Sequence, residues 1–168
     1  MPSKLSNPQS IDDLLLFRMH RILALAGTNI RRLCEGQLGI TWREWRLIAT
    51  LRPAGTLLSS ELAHQAQLDP ARTSRGISSL VAKGLVVRQI VPSDHRKAHV
   101  SLTEKGQAMY EVFFPIVAEL NHHLVKGLGD NELTVLDQSL LAIQQKAETM
   151  ANIELLPKAN RRRLGLRD

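Results

Sequence analysis

At 168 residues, 43% hydrophobic and 23% charged, the chain suits one folded domain, with or without dimerisation arms, and its composition excludes a disordered protein. A net charge of +6 points to a polyanionic partner, nucleic acid or an anionic membrane surface, without choosing between them. No apolar run approaches the roughly 18 residues of a membrane span, and the polar amino terminus through Ser10 shows no secretory pattern, so a cytoplasmic protein is expected.

Residues 2–10 read as a loose arm. From Ile11 to about Cys34, the apolar residues Leu15, Met19, Ile22, Leu23, Ala26, Ile30 and Leu33 recur at helical spacing. Leu14, Leu16, Phe17 and Leu25 widen that stripe. A helix apolar on most sides needs more than one partner, so this one is predicted to dimerise. Gly36 and Gly39 end it. Thr41 and Glu44 then form a capping box, with Ile40 and Trp45 at the positions of a hydrophobic staple. The helix they open is predicted to reach about Leu51 and stop before Pro53 and Gly55.

Ser59 or Ser60 can cap a short helix from Glu61 to about Gln67, with Leu62, Ala63 and Ala66 inward. Asp69 as N-cap and Pro70 as first helical residue start another helix, which continues to about Lys83 and ends at Gly84. Two helices across so short a turn make a helix-turn-helix candidate. Leu85 to Val91 reads as a strand, Pro92 to Lys97 as a turn and Ala98 to Leu102 as a returning strand. Thr103 is predicted to cap a long helix to about Gly127, bent at Pro115. Asp130 is predicted to cap the last helix, to about Met150, whose Leu133, Leu136, Leu140, Ile143 and Ala147 form a seam for pairing.

The helix from Pro70 carries the chemistry. Ile77, Leu80, Val81 and Gly84 share an inward face, while Arg72, Arg75 and Ser79 project opposite, flanked by Ser78 and Lys83, with no carboxylate among them. Arginine can donate twice to guanine in the major groove, and serine reads bases or grips phosphate. Gly76 leaves room for close approach to a backbone. An ordinary solvated helix face accounts for these residues when they are taken alone. The hairpin tilts the balance, because His95, Arg96 and Lys97 are suited to the electronegative minor groove. Asp94, out of place beside DNA, is assigned an internal role, in which it accepts bonds from Arg96, Arg88 or the turn amides and stiffens the tip.

At this point a family resemblance is specific. Gly84-Leu85-Val86-Val87-Arg88, then Asp94-His95-Arg96-Lys97, then Val100-Ser101-Leu102-Thr103-Glu104-Lys105-Gly106 resemble the wing signature of MarR-type regulators. The stretch from Leu68 to Gly84, with Ser74-Arg75, resembles their recognition helix, and the order of elements matches from Ile11 to Met150. The resemblance implies a mostly α protein with a small β-wing, a winged helix-turn-helix homodimer on double-stranded DNA. It implies residues 1–38 as arm and dimerisation helix, 39–102 as the DNA-binding region and 103–152 as further dimerisation helices, while the tail at 153–168, with Arg161-Arg162-Arg163, reads as basic and mobile. Ser74, Arg75, Ser78 and Arg96 become the foremost DNA contacts, with Arg72, Ser79, Lys83, His95 and Lys97 around them. The family often carries two arginines after the wing aspartate; His95 stands at the first, which opens a pH-sensitive contact. A repressor on a near-palindromic operator is expected, responding to a small aromatic or anionic effector. Arg18, His20, Arg21 and Trp42 are placed near such a site, although core and surface roles explain each equally.

Other chemistries find little support. The lone Cys34 forms no internal disulfide and suits a reducing compartment. Arg31 and Arg32 would lower its pKa if close, which an oxidant sensor would need, but a buried core thiol is the expectation. His122 and His123 point about 100° apart on a helix and do not share one ion, and no helical His-x3-His pair occurs, so no metal site is expected. No nucleophile elbow, P-loop or dinucleotide turn is present, so neither an enzyme nor a cofactor is expected. The tail from Pro157 is too short and too poor in large apolar residues for a membrane-surface helix.

Overall fold

The computed structural model describes residues 3–150, except the side chains of residues 95 and 96. The predicted tail at 153–168 lies outside the described residues. The chain divides into two compact units, one ending at Leu124 and one beginning at Val125.

The first helix, α1, spans Leu15–Leu33 and starts later than Ile11. The Asp13 carboxylate accepts bonds from the amides of Gln9 and Ser10, closing a separate 3-10 turn at Ile11–Asp13. Leu14 is then extended, which breaks continuity with α1. At its other end the chain continues through a π-helical turn, Cys34–Leu38, until Gly39 takes φ +62° and stops it. Gly36 lies inside that turn and ends nothing.

α2, Trp42–Ala54, opens with the predicted capping box: the Glu44 amide donates to Thr41 Oγ1 (3.2 Å) and the Thr41 amide to Glu44 Oε2 (2.6 Å). Ile40 and Trp45 are both buried, as a staple requires. The helix does not stop before Pro53 but includes it. Pro53 is the penultimate helical residue, so its missing N–H costs one terminal bond rather than the helix.

A short strand with no counterpart in the sequence-based expectation, β1 (Thr56–Leu58), follows. α3 covers Ser59–Gln65, two residues ahead of the predicted start. Glu61 reaches back to the Leu58 amide at 2.8 Å, and Ser59 donates instead to the Ala98 carbonyl at 3.1 Å. α4 covers Pro70–Ala82 with Asp69 as its cap, accepting from the Arg72 amide at 2.8 Å.

β2 (Val86–Val91) and β3 (Asp94–Leu102) complete an antiparallel sheet of order β1-β3-β2. The turn is only Pro92-Ser93, not Pro92 to Lys97. Val91 pairs with Asp94 and Ile90 with Ala98, so residues 95–97 bulge from β3 without partners on β2. Ile40, Leu47, Ile48, Leu51, Leu62, Ile77, Leu80, Leu85, Val86, Val100 and Phe113 form one core between the three short helices, the sheet and the following helix.

That helix, α5 (Glu104–Val125), runs through Pro115 and is capped by Thr103, which accepts from the Gly106 amide at 3.0 Å and donates to the Gly84 carbonyl at 2.8 Å. In the second unit, α6 (Asp130–Met150) buries no residue. Asp130 is its first residue rather than its cap; Glu132 holds the Gly129 amide at 2.8 Å. Among the described residues no helix is long and apolar enough to cross a membrane.

Candidate nucleic-acid interface

α4 packs on α2 and α3 through Thr73, Ile77 and Leu80, all buried. A Cβ at Gly76 would lie 2.8 Å from Leu47 Cδ1, so the room made by that glycine is taken by α2 rather than by an outside backbone. Val81, predicted inward, is exposed at the edge of the packed face. The opposite side presents Arg72, Ser74, Arg75 and Ser78 to solvent, with Ser79 and Lys83 half-buried.

The arginines of that side are partly held in place. Arg72 Nε pairs with Asp69 Oδ2 at 3.1 Å, and Arg75 Nε donates to the Ala71 carbonyl at 3.3 Å. Lys83 turns inward. Its Nζ lies 2.8 and 3.0 Å from the two oxygens of Glu44, a side chain only 3% exposed. Burial alone would raise the Glu44 pKa; hydrogen bonds from Lys83, Ser79 and Thr41 outweigh it and hold the carboxyl below its ordinary range.

The helix-turn-helix is locked by a residue that sequence reasoning missed. Arg46 in α2 donates to the carbonyls of Ala66 and Gln67 (the latter at 3.3 Å), where Gln67 adopts φ +52° in the turn between α3 and α4. No local pattern announces it, because the contact joins residues twenty or more apart in sequence.

In the wing, Asp94 Oδ2 pairs with Lys97 Nζ at 3.5 Å, a partner outside those the sequence nominated for it. The side chains of His95 and Arg96 lie outside those described. Arg88 sits lower, its Cα opposite that of Val100 in β3. It lines a hollow of about 170 Å³ with Ser59, Ser60, Ser74 and Ile77, into which the buried Thr73 hydroxyl also opens without a bonding partner among the described residues.

Two further places bear on function. α1 and α5 line an apolar hollow of about 570 Å³, floored by Ile22, Ile30, Val117 and Leu120, with Asn29, Asn121 and His123 as polar groups. Arg21 is engaged with Asp12 at 3.0 Å, and Trp42 packs on the core, so neither lines that hollow. Cys34 is fully buried; burial, then the charge of Glu35, push its thiol up to about 11. Among the described residues no cluster of metal-ligating side chains occurs.

A helix-turn-helix, an antiparallel wing and an outward helix face of arginine and serine define a winged-helix DNA-binding regulator. Residues 38–97 match the MarR family. The HTH-type transcriptional regulator FarR of Neisseria gonorrhoeae is 33% identical over 116 residues, 69% of this chain and 79% of that one. The multiple antibiotic resistance protein MarR of Escherichia coli is 31% identical over 104 residues, 61% of this chain and 72% of that one. The crystal structure of NadR in complex with 4-hydroxyphenylacetate superimposes with a TM-score of 0.68 at 27% identity, covering 85% of this chain and 97% of that one. The chain belongs to the MarR family of transcriptional regulators.

Proposed function

We propose that the protein is an effector-responsive repressor that binds a near-palindromic operator in the cytoplasm as a homodimer. The observation that carries this reading is the outward face of α4, where Arg72, Ser74, Arg75 and Ser78 are exposed together on a helix fixed from behind. Each protomer lays this face in a major groove, with Arg75 and Ser74 on base edges and Arg72 and Ser78 on phosphate or sugar. Ser79 and Lys83 contribute through Glu44, which they hold. The bulge carrying His95, Arg96 and Lys97 enters the adjacent minor groove, with Asp94 and Arg88 supporting the wing from within.

The homodimer rests on apolar residues left uncovered in one chain. Leu16 and Leu25 on α1 are 77% and 75% exposed, and Val112 and Phe114 on α5 and Leu136 and Leu140 on α6 are exposed as well. A second copy covers these faces, so that residues 1–38 and 103–152 serve dimerisation and 39–102 serve DNA. Two-fold symmetry then places two recognition helices about one duplex turn apart, and the operator repeats inverted to match. The apolar hollow between α1 and α5, with its few polar groups, suits a small aromatic or anionic effector; the aromatic acid bound to NadR is of that class.

The test is selection of bound duplexes from a random pool, followed by titration of the selected duplex with aromatic carboxylates. An inverted repeat, bound by two chains and released by an aromatic acid, is the expected result. Enrichment of an unrepeated site bound by one chain would overturn the dimeric reading.

A further inference from the structure

Between the first turn of α2 and the outer side of α4 lies an open hollow of about 530 Å³. Arg43, Arg72, Arg75 and Lys83 line it, with Thr41, Ser79 and one carboxylate, Glu44. The cations are not equivalent. Lys83 is spent on Glu44, whose charge it neutralises at 2.8 Å, and Arg72 is shared with Asp69. Arg43 is exposed and has no hydrogen bond or ion pair among the described residues. It sits on α2, in a different element from every DNA contact the sequence nominated, yet it borders the same hollow as Arg75. No aromatic ring and no aliphatic hydrocarbon side chain lines the hollow, so it does not suit an aromatic effector. An excess of cations beside the recognition helix suits a phosphodiester.

We infer that this hollow is a phosphate subsite for the DNA backbone flanking the recognition helix, in which Arg43 supplies the cation that Lys83, held by Glu44, does not. The inference rests on the reading of α4 as the recognition helix. Docked there, α4 brings its flanking phosphates over the α2–α4 seam, where Arg43 from α2 and Arg72 from α4 border one hollow. A phosphate gripped from both helices fixes the depth and tilt of α4 in the groove. It carries no base information, so Arg43 adds affinity and register without adding sequence preference.

The experiment compares wild type, Arg43→Gln, Arg43→Lys and Lys126→Gln by the slope of log affinity against log salt on the selected duplex and on a scrambled one. Each variant is first checked for an unchanged melting temperature, which the exposure of both side chains leads one to expect. Each phosphate contact contributes about 0.9 to that slope. Arg43→Gln is expected to flatten it by about that amount on both duplexes, leaving their affinity ratio unchanged. Arg43→Lys is expected to restore most of the slope, and Lys126→Gln, which removes the same charge elsewhere, to leave it as in wild type. An Arg43→Gln slope equal to wild type, or a change in the affinity ratio, overturns the subsite. Equal flattening by Lys126→Gln also overturns it, reducing the effect to net charge. Inorganic phosphate, titrated at constant ionic strength, is expected to show no saturable binding that depends on Arg43; such binding would make this a free-phosphate site instead. Failure of wild type to bind either duplex would defeat the DNA reading itself, a result distinct from all of these.

Discussion

The carboxylate of Glu44 is 3% exposed and yet stays ionised, because Lys83, Ser79 and Thr41 surround it with donors. Its pKa is held below the ordinary 4.5, so its contribution to stability is fully present above that value and is lost as pH falls through the lower folded-state value. Glu44→Gln keeps the size and the bond from the Thr41 amide but removes the ion pair. It is expected to cost about 1–3 kcal/mol near neutral pH, with the gap to wild type closing in acid; urea unfolding at pH 7 and pH 3 measures both. A gap that stays constant with pH would mean that the charge has no part in it. Arg75→Ala is expected to lose about 1–3 kcal/mol of operator affinity and relax preference at one base pair. Arg96→Ala should instead weaken all duplexes and flatten the salt dependence, as mobility-shift titrations at several salt concentrations will show. Cys34, with its pKa near 11, is expected to resist iodoacetamide at pH 8 in the native protein and to react only after unfolding. Rapid native alkylation with loss of operator binding would favour an oxidant sensor instead. These residues differ in legibility. The capping partners Thr41 and Glu44 are readable because they lie three apart in sequence. The grip of Glu44 on Lys83 is not, because it spans 39 residues.

At the scale of elements, the wing is stitched to α5 at close quarters. A Cβ on Gly106 would stand 2.1 Å from the Leu85 carbonyl oxygen, closer than any relaxed contact, and the obstacle is backbone rather than a movable side-chain tip. Gly106→Ala is therefore expected to destabilise by about 1–3 kcal/mol or more, lowering the melting temperature by several degrees. An unchanged melting temperature would mean that the α5 start moves freely. Helices with complete end signals, α2 and α4, are legible in the sequence to within a few residues. The boundaries that differ share one cause, a contact or tolerance that end signals do not encode. The start of α1 is displaced by Asp13 folding back on Gln9 and Ser10, and the end of α2 runs on through a proline that the helix tolerates in its last turn. β1 has only three residues, too few for a period, and exists through pairing with β3 some forty residues away.

For the whole molecule, the decisive feature is apolar surface that one chain does not cover. Leu16→Glu and Leu23→Glu lie on exposed parts of α1, so in a monomer each would change stability by no more than about 0.5 kcal/mol. In a homodimer they bury charge at the interface, and sedimentation is expected to show monomers with weakened operator binding. A pair of variants that sediment like wild type would remove α1 from the interface. The hollow between α1 and α5 belongs to the same scale, since its walls come from segments about a hundred residues apart.

The outward arginines and serines of α4, the capped starts of α2 and α4 and the family were determined by sequence alone, because each is written in residues a few positions apart. Tertiary structure decided which of the candidate cations point outward. Arg72, Arg75 and Lys83 look alike along the chain, but Lys83 is drawn inward because a buried carboxylate on another helix needs a counter-charge. Arg43 stays at the rim of the same hollow because that carboxylate is already paired and no other lines the space.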